Sequence, residues 1–216
     1  MSSVLNHTLL QTRADIPLWL RACGYHQGSL AEIGVRSGAG LKLLVGGPPK
    51  LVIGVDLWSD EGPKSQNDAP LTQNRLDAVY QELVDRGRVY WPFLKLIRKH
   101  SVLAADDVGD GSLDFVFIDA DHTYEAVAAD IQAWWPKVRP GGTLAGHDYV
   151  NHTLKNGVSF GVFRAVDEFA KRIGLTEPVH TTAGKDYFAS WFITKATFLT
   201  QPSDPEATGY GGWDGY

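Results

Sequence analysis

SLAEIGVRSGAGLKLLV, residues 29–45, runs from an apolar stretch through a glycine-rich turn and back into an apolar stretch. SLAEIGV (29–35) reads as a strand, RSGAG as a turn and LKLLV as a helix. GGPP (46–49) ends that helix, because glycine frees the cap and proline cannot extend it. LVIGVDLW (51–58) follows with the unbroken aliphatic character of a parallel strand buried on both faces. The pattern then repeats. TQNRLDAVYQELVDRG (72–87) carries a helical stripe at Leu76, Val79, Tyr80, Leu83 and Val84, closed by Gly87. FLKLIRK (93–99) and LDFVFID (113–119) are strands, TYEAVAADIQAWWPKV (123–138) a helix and TLAGHDY (143–149) another strand. GVFRAVDEFAKRIG (161–174) is helical, and VHTT (179–182) with YFASWFITK (187–195) forms a closing pair of strands. Strands separated by helices predict an α/β fold: a single-domain, Rossmann-like, doubly wound and mostly parallel sheet with an antiparallel strand near the C-terminus.

Composition fits one such domain. The 216 residues are 44% hydrophobic, enough for one sizeable core. Twenty basic against 25 acidic residues give a net charge of −5, which argues against a nucleic-acid surface. The single cysteine, Cys23, excludes an internal disulfide framework and suits a reducing compartment. The first 20 residues lack the basic flank and apolar core of a secretory signal, and no apolar run reaches the roughly 18 residues of a membrane span. The expectation is a cytoplasmic protein with no membrane partner; self-association stays open. The domain is expected over residues 1–200, with a helical segment at 1–28, and the tail at 201–216 is expected to be mobile or laid over the surface.

Ligands of such sheets sit at the carboxyl ends of the strands. That rule selects EIGVRSGAG (32–40), Asp56 and FIDADH (117–122). The glycines at 34, 38 and 40 are not spaced as the dinucleotide fingerprint G-x-G-x-x-G, and Glu32 would repel a pyrophosphate. A ligand carrying an ammonium and a sulfonium would find that carboxylate favourable. Residues 32–40 resemble the first motif of class I S-adenosylmethionine (SAM)-dependent methyltransferases, E-x-G-x-x-x-G-x-G, and the resemblance continues from about Leu30 to Lys195. It implies a cofactor site at Glu32, Gly34, Gly38 and Gly40, with Asp56, 22 residues after Gly34, on the ribose hydroxyls. A carboxylate accepts two hydrogen bonds from a vicinal diol, so the chemistry agrees. Ser101 matches a position that contacts adenine in catechol-type relatives; a helix N-cap is the other reading.

FIDADHTYEAVAADIQAWWPKVRPGGTLAGHDY (117–149) is similar, more narrowly, to the metal-assisted small-molecule O-methyltransferases of the catechol and macrolide-sugar branches. The resemblance implies that Asp119 binds Mg²⁺ at the edge of the cofactor site, that Asp148 is a second acidic ligand, and that His122 is the base. Asp121 reads instead as a cap for the following helix. Two departures stand out: Asp148 precedes Tyr149 rather than asparagine, and His147 occupies a place where other relatives carry an acid. A histidine ligand would shift preference from Mg²⁺ toward Mn²⁺, Zn²⁺ or Fe²⁺. Methyl transfer to oxygen needs a partly deprotonated nucleophile, and a hydroxyl gripped by a divalent cation becomes acidic enough for an imidazole to take its proton.

The sequence therefore points to a SAM-dependent O-methyltransferase acting on a hydroxyl of a sugar, glycoside or vicinal diol, with Mg²⁺ or Mn²⁺. Two alternatives remain open: a metal-free methyltransferase with His122 alone as base, and a non-catalytic SAM-binding regulator. An NAD oxidoreductase is disfavoured by Glu32 and the glycine spacing. Trp58 and the loop at 59–70 are expected to cover the site, Trp134 and Trp135 to pack a helix on the sheet, His100 to lie near the cofactor edge, His152 to approach substrate, and His180 to be structural.

Overall fold

The apolar runs pair as their lack of alternation requires. The computed structural model describes residues 10–45, 49–60, 71–153, 157, 159–182 and 187–197. The strands are β1 (Ser29–Ile33), β2 (Leu51–Asp56), β3 (Leu94–Arg98), β4 (Leu113–Ile118), β5 (Val138–Gly146), β6 (Asn151–Thr153), β7 (Ser159–Gly161), β8 (His180–Thr181) and β9 (Trp191–Thr194). The helices are α1 (Ile16–Ala22), α2 (Leu41–Leu44), α3 (Gln73–Tyr90), α4 (Ser101–Ala105), α5 (Tyr124–Trp134) and α6 (Val162–Arg172).

Seven strands form one sheet in the order β3-β2-β1-β4-β5-β9-β8, and β6 and β7 form a separate antiparallel hairpin. β1 to β5 are parallel, and β9 enters antiparallel to β5. The chain winds outward from β1 to β3 on one side and resumes at β4 on the other. The strand order thus reverses between β1 and β4, where an open α/β sheet leaves a crevice for ligands.

Alternate side chains of the central strands feed two cores. Ile33, Val55, Val116 and Ile118 meet Val127 and Ile131 of α5 and Val166 of α6. Leu30, Val52, Phe115 and Phe117 meet Trp19 of α1, Leu41 of α2 and Leu83 of α3. Trp134 is fully buried and Trp135 packs edge-on against Phe169, so the tryptophan pair does seal a helix onto the sheet. Among the described residues no helix is long and apolar enough to cross a membrane.

The structure differs from the sequence expectation in several places. Gly87 does not end α3, which runs on to Tyr90. Gly87 is buried against Leu94, and that tertiary packing outweighs its weak helix propensity. β5 begins at Val138 rather than Thr143: Val138 pairs with Leu113, a register shift absorbs the proline and glycines at 140–142, and pairing resumes between Phe115 and Thr143. Paired amides and carbonyls of Gly141, Gly142 and Lys195 hold that bulge against the start of the final connection. The β6–β7 hairpin carries no period-2 pattern long enough to announce it. The expected tail at 201–216 and most of the loop at 59–70 lie outside the described residues.

Candidate functional site

The turn after β1 is built around a buried carboxylate. Glu32 is 2% exposed, its Oε2 has no hydrogen-bond partner, and a Cβ on Gly40 would collide with its Oε1. Burial pushes the Glu32 carboxyl well above its ordinary range; Asp119 and Asp56 push the same way, while Arg13 opposes them. Gly34 has φ +94°, and a Cβ there would meet the Asp119 carbonyl. This close approach locks the β1 turn to the end of β4, together with the Asp119 amide donating to the Ile33 carbonyl at 2.7 Å. Gly38 finishes the turn, its amide donating to the Val35 carbonyl at 2.8 Å.

Asp56 ends β2 with both carboxylate oxygens engaged. Oδ2 accepts from the Arg36 amide at 2.8 Å and Oδ1 from the Trp58 amide at 2.7 Å. Arg36 (φ 48°), Trp58 (φ 42°) and Asp148 (φ 53°) are the positive-φ non-glycine residues among those described, and each lies just beyond the carboxyl end of a strand. Strain of this kind persists only where surrounding contacts over-determine the backbone. Trp58 is no lid. It is fully buried, donates from Nε1 to the Arg36 carbonyl at 2.9 Å and packs on Tyr80.

Ser101 opens α4 but does not cap it. His100 is the N-cap, its Nδ1 accepting from the Val102 amide at 3.4 Å. The Ser101 hydroxyl donates instead to Asp130, a buried carboxylate on α5. Burial lifts the Asp130 carboxyl to about 6, with Ser101 and His100 opposing and Asp121 adding to the rise.

Asp119, His122 and Asp148 converge: one ligand atom from each lies within 4.8 Å of the others. His122 Nε2 is 2.8 Å from Asp148 Oδ2 and 3.5 Å from Asp119 Oδ1. No well-directed hydrogen bond forms at Nε2, so these are charge contacts. Desolvation pulls the His122 pKa down, but the two carboxylates outweigh it and raise it to about 9. Burial opposes ionisation of Asp148, yet His122 and then His147 and Arg13 hold its carboxyl below the ordinary range. Asp121 leaves this group. Its Oδ1 accepts from the Thr123 amide at 2.9 Å and shapes the turn into α5, where Thr123 is the N-cap residue. His147 also stands outside the three. Its Nδ1 meets the buried Ser190 hydroxyl at 3.0 Å, and its Nε2 is 3.7 Å from Asp148 Oδ1.

Sequence reasoning missed two contributors. Arg13, in the short 3₁₀ turn before α1, reaches Asp119 Oδ2 with Nη1 at 2.6 Å. Nothing in TRADIP marks that contact, since the partners are 106 residues apart. Phe160, on β7, stacks on the His122 ring at 4.9 Å between centroids, and the Gly161 amide donates to the His122 carbonyl at 2.8 Å.

A family model described as a methyltransferase domain matches residues 31–149, from β1 through the end of β5. The chain belongs to that family. The match spans the β1 turn, Asp56, Asp119, His122 and Asp148, so every acidic group of the crevice lies inside the methyltransferase domain. An uncharacterized protein of Sinorhizobium fredii is 33% identical over 94 residues, 44% of this chain, and the match covers 10% of that much longer relative. Among solved structures, a cofactor-bound protein from MTB shares the fold with a TM-score of 0.57 at 16% identity, covering 86% of this chain and 79% of that one. The magnesium protoporphyrin IX methyltransferase of Synechocystis with bound SAM gives 0.56 at 14% identity, over 86% and 79%. An O-methyltransferase from Bacillus cereus in complex with SAH gives 0.53 at 16% identity, over 85% and 80%. The architecture is accordingly that of the class I SAM-dependent methyltransferases, with the mostly parallel sheet and antiparallel β9 expected of it.

Proposed function

We propose that this methyltransferase-family protein transfers the methyl group of SAM to a hydroxyl of a small substrate bearing neighbouring oxygens: a sugar, glycoside or vicinal diol. The observation that carries the reading is the meeting of Asp119, His122 and Asp148 at the carboxyl ends of β4 and β5, beside the β1 turn. The turn fits SAM. Glu32 presents an orphaned, buried oxygen under Gly40, whose ionisation a bound ammonium and sulfonium would restore against burial, and Asp56 sits where the ribose diol would displace the Arg36 and Trp58 amides. Ser101, held by Asp130, stands at the adenine edge.

The donor set also fits a divalent cation. Two carboxylates offering oxygens within 4.8 Å of each other suit the oxygen preference of Mg²⁺ or Mn²⁺, and Asp119 and Asp148 would be its ligands. When bound, such a cation supplies Lewis acidity that lowers the pKa of an adjacent hydroxyl. His122 is the candidate base, and its charge state sets a condition on the mechanism. With a pKa of about 9 it is protonated at neutral pH, held so by the two carboxylates. It can accept a proton only when those carboxylates are satisfied by another positive charge. His147 then acts by orienting Asp148 from the Ser190 side.

A second, metal-free reading is favoured by Arg13. Its guanidinium already neutralises Asp119, which leaves His122 with one unpaired carboxylate instead of two. The two readings separate cleanly. SAH formation is measured on a panel of sugars and diols after exhaustive EDTA treatment, with Mg²⁺ or Mn²⁺ restored. Metal dependence predicts loss on EDTA, recovery on Mg²⁺ or Mn²⁺, and no recovery in Asp119→Asn or Asp148→Asn. EDTA-insensitive turnover that survives both substitutions sinks the metal. His122→Ala is expected to abolish turnover and leave SAH affinity intact; SAH binding without turnover on any hydroxylated compound favours the regulatory alternative.

A further inference from the structure

Every carboxylate oxygen of Asp119 and Asp148 faces a basic group of the chain itself. Asp119 Oδ2 holds Arg13 Nη1 at 2.6 Å, and Asp119 Oδ1 lies 3.5 Å from His122 Nε2. Asp148 Oδ2 lies 2.8 Å from the same nitrogen, and Asp148 Oδ1 lies 3.7 Å from His147 Nε2. A divalent ion approaching these two acids therefore meets oxygens that already have partners. The imidazoles can surrender their charge with a proton. Arg13 cannot, because a guanidinium stays charged at any pH a folded protein meets. It can yield only by moving.

The local fold decides which part of Arg13 moves. The residue opens the 3₁₀ turn Arg13–Asp15, which leads straight into α1. Asp15 ties that turn from within: its Oδ2 accepts from the Gln11 amide at 3.0 Å, the Thr12 amide at 2.8 Å and the Thr12 hydroxyl at 3.2 Å. Behind the turn, Ile16, Trp19 and Leu20 of α1 are buried. The backbone of Arg13 is thus clamped on both sides, whereas its side chain is 32% exposed on a flexible stem. The side chain is the movable part. Its charge also reaches beyond Asp119. It opposes the rise that burial imposes on Glu32, and with His122 and His147 it holds Asp148 down against burial. One guanidinium supplies positive charge to three acids of the crevice.

We propose that Arg13 is a resident cation of the crevice, an autoinhibitory contact that a divalent ion must displace from Asp119 in order to bind. This rests on the metal reading of the site and adds a competitor to it. Binding to a form that is open only part of the time is weakened by that fraction, so a pair closed about nine-tenths of the time lowers the apparent ion affinity roughly tenfold. The contact sets a threshold. Below it the crevice is held by its own side chain; above it the ion takes Asp119 and the guanidinium turns to solvent.

Mn²⁺ alone is the probe, titrated into the full chain and counted as free ion by electron paramagnetic resonance. Arg13→Gln keeps a polar side chain but removes the charge, and it is expected to bind at least roughly tenfold more tightly than wild type, a gain of about 1.4 kcal/mol. Arg13→Lys keeps the charge and should restore most of the barrier. Displacement itself is read with diamagnetic Mg²⁺ and ¹⁵N-labelled arginine: the Arg13 Nε–H signal, assigned by its loss in Arg13→Gln, should shift at saturation. That shift separates displacement from long-range repulsion, which changes affinity and leaves the guanidinium on Asp119. An Arg13→Gln affinity equal to or weaker than that of the wild type overturns the proposal, as does an unmoved Arg13 signal at saturating Mg²⁺. In either case, ion binding that Asp119→Asn abolishes keeps the metal reading intact. Mn²⁺ binding by neither wild type nor Arg13→Gln sinks the metal reading and the displacement with it.

Discussion

Replacing Asp130 with asparagine should stabilise the protein at pH 8 and do almost nothing at pH 5. Asp130 is 3% exposed, and burial raises its carboxyl from 3.8 to about 6 in the folded state. Each pKa unit corresponds to about 1.4 kcal/mol, so the shift of roughly two units means that ionised Asp130 opposes folding by about 3 kcal/mol at pH 8. The sign follows from proton counting. Between pH 3.8 and 6 the folded state binds more protons than the unfolded one, so this group's contribution improves as pH falls and worsens as it rises. Asparagine removes the buried charge but weakens the charge-assisted bond from Ser101, a loss of about 1–1.5 kcal/mol. The net gain at pH 8 is then about 1.5–2 kcal/mol. Linkage recovers about 1.4 kcal/mol for the wild type at pH 5, which nearly erases the difference. Urea unfolding followed by fluorescence of the buried tryptophans measures both values. An asparagine variant less stable than wild type at pH 8, or a difference independent of pH, would show that Ser101 and His100 stabilise the charge more than burial penalises it.

Other outcomes follow from the same contacts. Asp56→Ala and Glu32→Ala should each weaken S-adenosylhomocysteine affinity by at least tenfold in calorimetry, and unchanged affinity in both would remove the cofactor assignment. Gly34→Ala should destabilise by about 2 kcal/mol or more, since it combines a positive φ with collision against the Asp119 carbonyl; a Tm within 2 °C of wild type would contradict this. In Asp148→Asn the His122 pKa should fall from about 9 toward its ordinary value, read from imidazole proton shifts, because one of its two charge partners is gone.

What the sequence made legible was the part governed by local rules. The mostly apolar runs of β1, β2 and β4, the turn glycines and the acids at strand ends locate the crevice, because side-chain period and strand polarity are properties of contiguous chain. Asp121 was separable from Asp119 on the same grounds, and the Asx-type contact to Thr123 agrees with that separation. Trp58 was misread because a large aromatic beside a loop looks the same whether it folds out or in; its positive φ turns it inward beneath Tyr80. The proline and glycines at 140–142 looked like a boundary but are a bulge, a distinction that only the partner strand makes. Arg13 and Phe160 were invisible for the same reason: each acts through one long-range contact that leaves no periodic trace.

That long reach has a consequence for how activity is acquired. Asp119 meets Arg13 across 106 residues of chain, Asp148 arrives only after β5 has crossed back beside β4, and Phe160 follows later still. Contacts of such separation carry a loop-closure cost and form late in folding. The crevice exists only once β1, β4 and β5 lie side by side, and a partly unfolded chain holds its acids apart. Ligand binding to this protein would report the assembly of the whole sheet and not of any one segment.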